Sequence, residues 1–233
     1  MKPVAALALL FSFILSTSTA FSADLQKGLL AYQKGDFETA LAEWQPLAEQ
    51  GDPKLENAMG ILYQNGQGVP RDINTAIEWY TRAAEQDYIT AQHNLGVIFE
   101  QGQGVPRDYV KAAKWFRRAA ELGDPSGQTS LGYLYFRGQG VPQDYKAAAH
   151  WYDLAAHQGK AYAQYNLAIM YIKGDGVEQD FLRAHMWLVQ ADIGGHEKAK
   201  VAQETLEEDM TPAVLELAEK FAAHCKEVNF EGC

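Results

Sequence analysis

A pattern that returns every 36 residues governs how this 233-residue chain can fold. Gly60, Gly96, Gly132 and Ala168 stand one period apart, each preceded by an apolar residue: Met59, Leu95, Leu131 and Leu167. Tyr63, Phe99, Tyr135 and Tyr171 follow four residues after that apolar column. Apolar residues at this spacing share one helix face. Each copy continues with two glycines and a valine, as in Gly66, Gly68 and Val69, then Gly102, Gly104 and Val105, Gly138, Gly140 and Val141, and Gly174, Gly176 and Val177. Glycines so placed predict a loop in unusual backbone conformations.

Asp72, Asp108, Asp144 and Asp180 come next, and each reads as the N-cap of a second helix. In that helix Ala76, Ala112, Ala148 and Ala184 precede Trp79, Trp115, Trp151 and Trp187 by one turn, and Ala83, Ala119, Ala155 and Ala191 follow. The expectation is one buried stripe in which small alanines admit a close neighbour and tryptophan fills the space beside them. Gly123, Gly159 and Gly195 read as left-handed helix ends, with Asp87 in their column.

A single helix, loop, helix unit cannot bury its stripe alone, so stacking of units is required. The sequence therefore predicts an all-α fold, an α/α superhelical solenoid of about six helix pairs. Four full units span 54–89, 90–125, 126–161 and 162–197, behind a shorter pair at 25–50 that keeps Asp36, Ala40 and Ala48 and resembles a tetratricopeptide cap. Residues 198–233 should form two capping helices, about Lys198–Glu208 and Ala213–Lys226, with Thr211 and Pro212 starting the last.

The unit resembles the Sel-one-like repeat family, relatives of tetratricopeptide repeats. In the second copy the resemblance is carried by Leu95-Gly96, Phe99, Gly102-Gln103-Gly104-Val105, Asp108, Lys111-Ala112, Trp115-Phe116, Ala119-Ala120 and Gly123. The fourth copy departs at Ala168, Leu188 and Asp192. The resemblance implies an adaptor that brings proteins together or regulates a membrane partner, as secreted and periplasmic bacterial members do.

Lys2, an apolar stretch from Val4 to Leu15 and the small residues Ser16 to Ala20 read as a signal peptide of residues 1–20, with cleavage up to position 23 as an alternative. The apolar run is shorter than the roughly 20 residues a spanning helix needs. The expectation is a chain with no membrane insertion after cleavage, in the bacterial periplasm or secreted. Its formal charge of −10 lacks the basic footprint of a nucleic-acid or anionic-lipid binder. The two cysteines, Cys225 and Cys233, read as one disulfide pinning the tail in an oxidising compartment.

No catalytic constellation emerges from the residues. The mature chain has no S-x-x-K or G-x-S-x-G around Ser22, Ser126 or Ser130, and no H-E-x-x-H; His150 and His157, seven apart, lack a third ligand. No cofactor and no metal is expected. The competing reading is a secreted hydrolase of cell-wall material with β-lactamase-like activity, described for cysteine-rich relatives whose cysteine ladder is missing here.

Binding along the first helices is the favoured destination. By the resemblance to tetratricopeptide geometry, Asn57, His93, Thr129 and Tyr165 face a groove, and Asn94 and Asn166 stand next to them. Ile61, Val97, Tyr133 and Ile169 come one position past the glycine column, followed by Glu100, Phe136 and Ile172. The asparagines suit a peptide backbone, and the aromatic and aliphatic members suit partner side chains. A protein or peptide partner, another envelope protein, is the expectation.

Overall fold

A computed structural model describes residues 24–228 and 230; the expected signal peptide and Cys233 lie outside the described residues. All regular structure among the described residues is helical. α1 (24–33) and α2 (Phe37–Ala48) come first. Four pairs follow: α3 (Pro53–Asn65) with α4 (Ile73–Glu85), α5 (Ile89–Gln101) with α6 (Tyr109–Glu121), α7 (Pro125–Arg137) with α8 (Tyr145–His157), and α9 (Ala161–Lys173) with α10 (Phe181–Ile193). α11 (Ala199–Glu208) and α12 (Pro212–Glu227) close the described chain. It divides into two compact units, one holding 24–95 with 103–105, the other 96–102 and the residues from 106 onward.

The aspartates cap as the spacing predicts, and they also tie each hairpin shut. Asp72 Oδ1 accepts from Asn74 N–H and Thr75 N–H at 3.0 and 3.3 Å, and Asp108, Asp144 and Asp180 accept from first-turn N–H groups likewise. Meanwhile the N–H of Asp72 donates to the Tyr63 carbonyl at 3.0 Å, and those of Asp108, Asp144 and Asp180 to Phe99, Tyr135 and Tyr171. One residue thus starts the second helix and fastens it to the first.

The second glycine of the loop has a packing reason as well as a backbone one. At Gly68, φ is 74° and an added Cβ would stand 2.5 Å from the Phe37 carbonyl, in the first turn of α2. Gly104 lies against the Ile73 side chain, and Gly140 and Gly176 against the Tyr109 and Tyr145 carbonyls. Each loop is therefore laid on the start of the preceding hairpin's second helix. Asp87 does adopt the left-handed conformation of its column, at φ 59°.

The tryptophan stripe needs correction. Trp115 and Trp187 are buried but Trp79 and Trp151 are half-exposed, whereas the residue after the tryptophan is fully buried in all four copies: Tyr80, Phe116, Tyr152 and Leu188. These rings face the glycine column. A Cβ on Gly60 would meet the Tyr80 ring at 2.6 Å and one on Gly132 the Tyr152 ring at 3.0 Å, and Gly96 faces Phe116 in the same way. In the fourth pair Ala168 replaces the glycine and Leu188 replaces the ring, both fully buried. Methyl gained on one helix is matched by bulk lost on the other.

A buried polar column at the same period joins successive hairpins. Gln92, Gln128 and Gln164 donate through Nε2 to the carbonyls of Ala84, Ala120 and Ala156, at 3.1, 3.3 and 3.0 Å, near the end of the preceding helix. Glu56 holds this column in the first full pair and has no donor to offer. There Arg82 pairs with Glu56 at 2.9 Å and itself donates to the Ala48 carbonyl at 3.3 Å. These carbonyls also accept a backbone N–H at their own helix end, so what the bond satisfies is the buried glutamine amide; leaving such a donor without a partner costs about 1–3 kcal/mol, and each clamp favours one register.

The last two helices run close to expectation, with Thr211 capping α12 and Pro212 in its first turn. α11 has 10 residues against 13 in each of α3, α5, α7 and α9. Met210 and Pro212 stand one period on from Gly174 and Gly176, so the glycine loop is gone.

Gly96→Ala should destabilise the protein by about 1–3 kcal/mol through overpacking against Phe116, in spite of alanine's better helix propensity. Adding Phe116→Leu, which rebuilds the fourth pair's arrangement, should recover about 1 kcal/mol or more in a urea-denaturation double-mutant cycle. Purely additive effects would show that the two positions are uncoupled.

Candidate partner-binding face

In the second unit, α7 and α9 present side chains that are neither core nor fully solvated. Tyr133 and Phe136 on α7 and Tyr165 and Ile172 on α9 are half-buried, packed by one edge against the cluster containing Tyr152, Leu167, Met170 and Trp187. Ile169 is half-buried on the same stretch of α9. The Phe136 ring lies 5.3 Å from that of Tyr145, which is itself exposed. Spacings of three and four residues keep these groups on one side of each helix.

Beyond Ile169 and Ile172 a cavity of about 400 Å³ opens, walled by Phe181, Ala202, Leu206 and Met210, with Gln179, Thr205 and Asp209 supplying its polar edge. Sequence reading did not find Phe181 or the α11 residues, because their meeting depends on the shortness of α11. Beside Tyr165, the His196 ring stacks at 4.2 Å with planes 17° apart. The buried Nδ1 of His196 has no hydrogen-bond partner among the described residues. Burial of the ring, with Lys198 nearby, holds its pKa below the ordinary imidazole value, and Glu197 pulls the other way.

Other expected groove residues are taken up within the fold. Asn57 is buried, and its Oδ1 accepts from Asn94 Nδ2 at 3.2 Å, which departs from the expectation that both asparagines face a partner. The Thr129 hydroxyl donates to the Pro125 carbonyl and Asn166 Nδ2 to the Tyr162 carbonyl, each at 2.7 Å within its own helix. Ile61 and His93 are half-buried in the first unit, and Val97 and Glu100 in the second. Burial lifts the Glu100 carboxyl above the usual range, with Arg107 opposing. Tyr133, Phe136, Tyr165, Ile169 and Ile172 are the expected residues that stand half-buried on α7 and α9 of the second unit.

His150 lies against Trp151, and His157 against Trp187 and Phe230. Among the described residues no three His, Cys, Asp or Glu side chains are grouped to hold a metal ion, and no helix is long and apolar enough to cross a membrane.

Capped hairpins, a glycine loop laid on the previous unit and a 36-residue repeat define an all-α helical-repeat protein. The chain belongs to the Sel1 repeat family, whose model matches residues 53–88, 89–124, 125–160 and 161–191. The matched copies begin one residue ahead of the frame drawn from the glycine column. Among solved structures, c5321, a protective antigen present in uropathogenic Escherichia coli strains that displays an SLR fold, aligns with TM-score 0.75 at 36% identity, over 83% of this chain and 43% of that one. A Sel1 repeat protein from Oxalobacter formigenes aligns with TM-score 0.67 at 36% identity, over 73% of this chain and 50% of that one. This chain thus spans about half the length of the solved structures it matches. A search of curated proteins finds no match. The repeats and the SLR fold support a protein-interaction scaffold.

The His196 contact predicts a pH dependence. Its folded pKa is depressed, so the native state prefers the neutral ring; below about pH 6.5 the unfolded chain takes up a proton that the native chain resists, and stability falls until the native pKa is passed. An NMR titration should place the His196 midpoint below its midpoint in the urea-unfolded chain, and His196→Phe should flatten the acid loss of stability in that window. Equal midpoints would overturn the assignment.

Proposed function

We propose that this protein is an interaction scaffold of the bacterial envelope, exported by its N-terminal leader, that holds a segment of a partner protein against α7 and α9. The observation that carries the reading is the face formed by Tyr133, Phe136, Tyr165, Ile169 and Ile172, aromatic and aliphatic groups half open to solvent on successive first helices. Large apolar side chains of this kind dominate the energetics of protein interfaces. The asparagine and threonine positions named in the sequence then contribute shape more than hydrogen bonds, since Asn57, Thr129 and Asn166 already bond within the fold. An exported chain also gives Cys225 and Cys233 the oxidising surroundings in which they pair.

Tyr133→Ala with Phe136→Ala should abolish capture of a partner that the wild-type chain retains after mild cross-linking in its native compartment, and the same loss should recur with the purified partner. Helical circular dichroism should be unchanged; its collapse would mark the two rings as core. The exported protein should resist thiol alkylation until it is reduced, and labelling of both cysteines without reductant would refute the pairing.

A further inference from the structure

The cavity beside Ile169, Ile172 and Phe181 lies where the repeat array stops supplying its own loop. At the three preceding second helices, the N-terminal turn receives the second glycine of the next unit's loop: Gly104 on Ile73, Gly140 on the Tyr109 carbonyl and Gly176 on the Tyr145 carbonyl. Phe181 is the equivalent position of α10. The period would bring a glycine to it at position 212, but Pro212 stands there and opens α12. Proline holds φ near −65°, far from the left-handed value of about +74° that the loop glycines adopt at Gly68 and Gly176.

The replacement parts do not refill the space. α11 is three residues shorter than the first helices of the repeats, and the turn 209–211 is too brief to reach over Phe181 as a glycine loop does. Phe181 is left 43% exposed, and about 400 Å³ stays open between it, Ile169, Ile172, Ala202, Leu206 and Met210. That volume falls in the range of about 300–1,000 Å³ typical of ligand-holding clefts.

We propose that this cavity is a binding site for a glycine-valine loop presented by a partner protein, which completes the stack as the chain's own loops do at the earlier units. The inference rests on the partner-binding reading for the accessibility of Ile169 and Ile172 and adds the chemistry of the segment: small, small-x-small, followed by an aliphatic side chain. A second copy of this chain is disfavoured as the donor, because all four of its loops are engaged internally, Gly68 on Phe37 and the other three as above. The valine side chain enters the apolar wall, and the second glycine lets the backbone approach the first turn of α10. Asp209 and Thr205 offer oxygen acceptors at the edge.

The test uses the full chain with labelled Ile, Leu, Val and Met methyl groups and, as probe, a capped peptide copying residues 101–109. Saturable shifts confined to Ile169, Ile172, Leu206 and Met210 are expected, with affinity lowered at least about tenfold when the peptide carries Gly104→Val. Ala202→Phe, which fills the cavity, should abolish the shifts without lowering the thermal midpoint. Tyr133→Ala with Phe136→Ala should leave peptide binding intact, so failure of the partner face and failure of the cavity are read separately. The proposal is overturned if neither peptide shifts these methyls, if both bind equally as to any greasy hollow, or if the Ala202→Phe chain still binds.

Discussion

The close approach of one helix of each hairpin to the ring on the other is the constraint on which everything else depends. Where Gly60, Gly96 and Gly132 carry no side chain, the rings of Tyr80, Phe116 and Tyr152 pack close against the bare backbone, and the hairpin closes tightly enough for an aspartate to span from cap to carbonyl. The fourth pair carries different atoms at the two positions, Ala168 and Leu188, both fully buried. Interiors packed to crystal-like density tolerate such exchanges only in compensating pairs. Because the spacing is held, the outward sides of α7 and α9 are held too, and that brings Tyr133, Phe136 and Tyr165 into one face.

Two kinds of contact then pass order from one hairpin to the next. The loop glycine is steric: at Gly140 or Gly176 any side chain would collide with the preceding helix's first-turn carbonyl. The buried glutamine is polar: its amide N–H, which would otherwise lack a partner, ends on a carbonyl near the end of the preceding helix. The Glu56 position is instructive, since a carboxylate cannot donate and the structure substitutes Arg82 as both counter-ion and donor. The same geometric need is met by different chemistry where the array meets its N-terminal pair.

Local signals were the legible part of the sequence. Asp72 and its equivalents, the glycine-valine loop and Thr211-Pro212 act within a few residues, and they lie where the spacing placed them. The tryptophan and its successor are adjacent on the helix, about 100° apart around the axis, so periodicity alone did not say which ring meets the glycine column. Gln92, Gln128 and Gln164 recur at the same period but drew no expectation, because polar residues on a helix ordinarily face water, and the structure finds them buried. Asn57 looked like a groove residue because its register is right, but register does not show that Asn94 already occupies it. The cavity at Phe181 was the least legible, since it arises from residues that are missing from α11 and its turn.

The buried amide column also decides how such a chain can change length. Gln92 reaches Ala84, Gly68 reaches Phe37 and Gly60 reaches Tyr80, and each reach is a fixed count along the backbone. Adding one residue anywhere between these anchors throws at least one of them out of phase, whereas inserting or deleting a whole 36-residue block leaves all of them in phase. The molecule is built to be edited in whole words and not in letters, which makes recombination at block boundaries the tolerated route by which its array can grow or shrink.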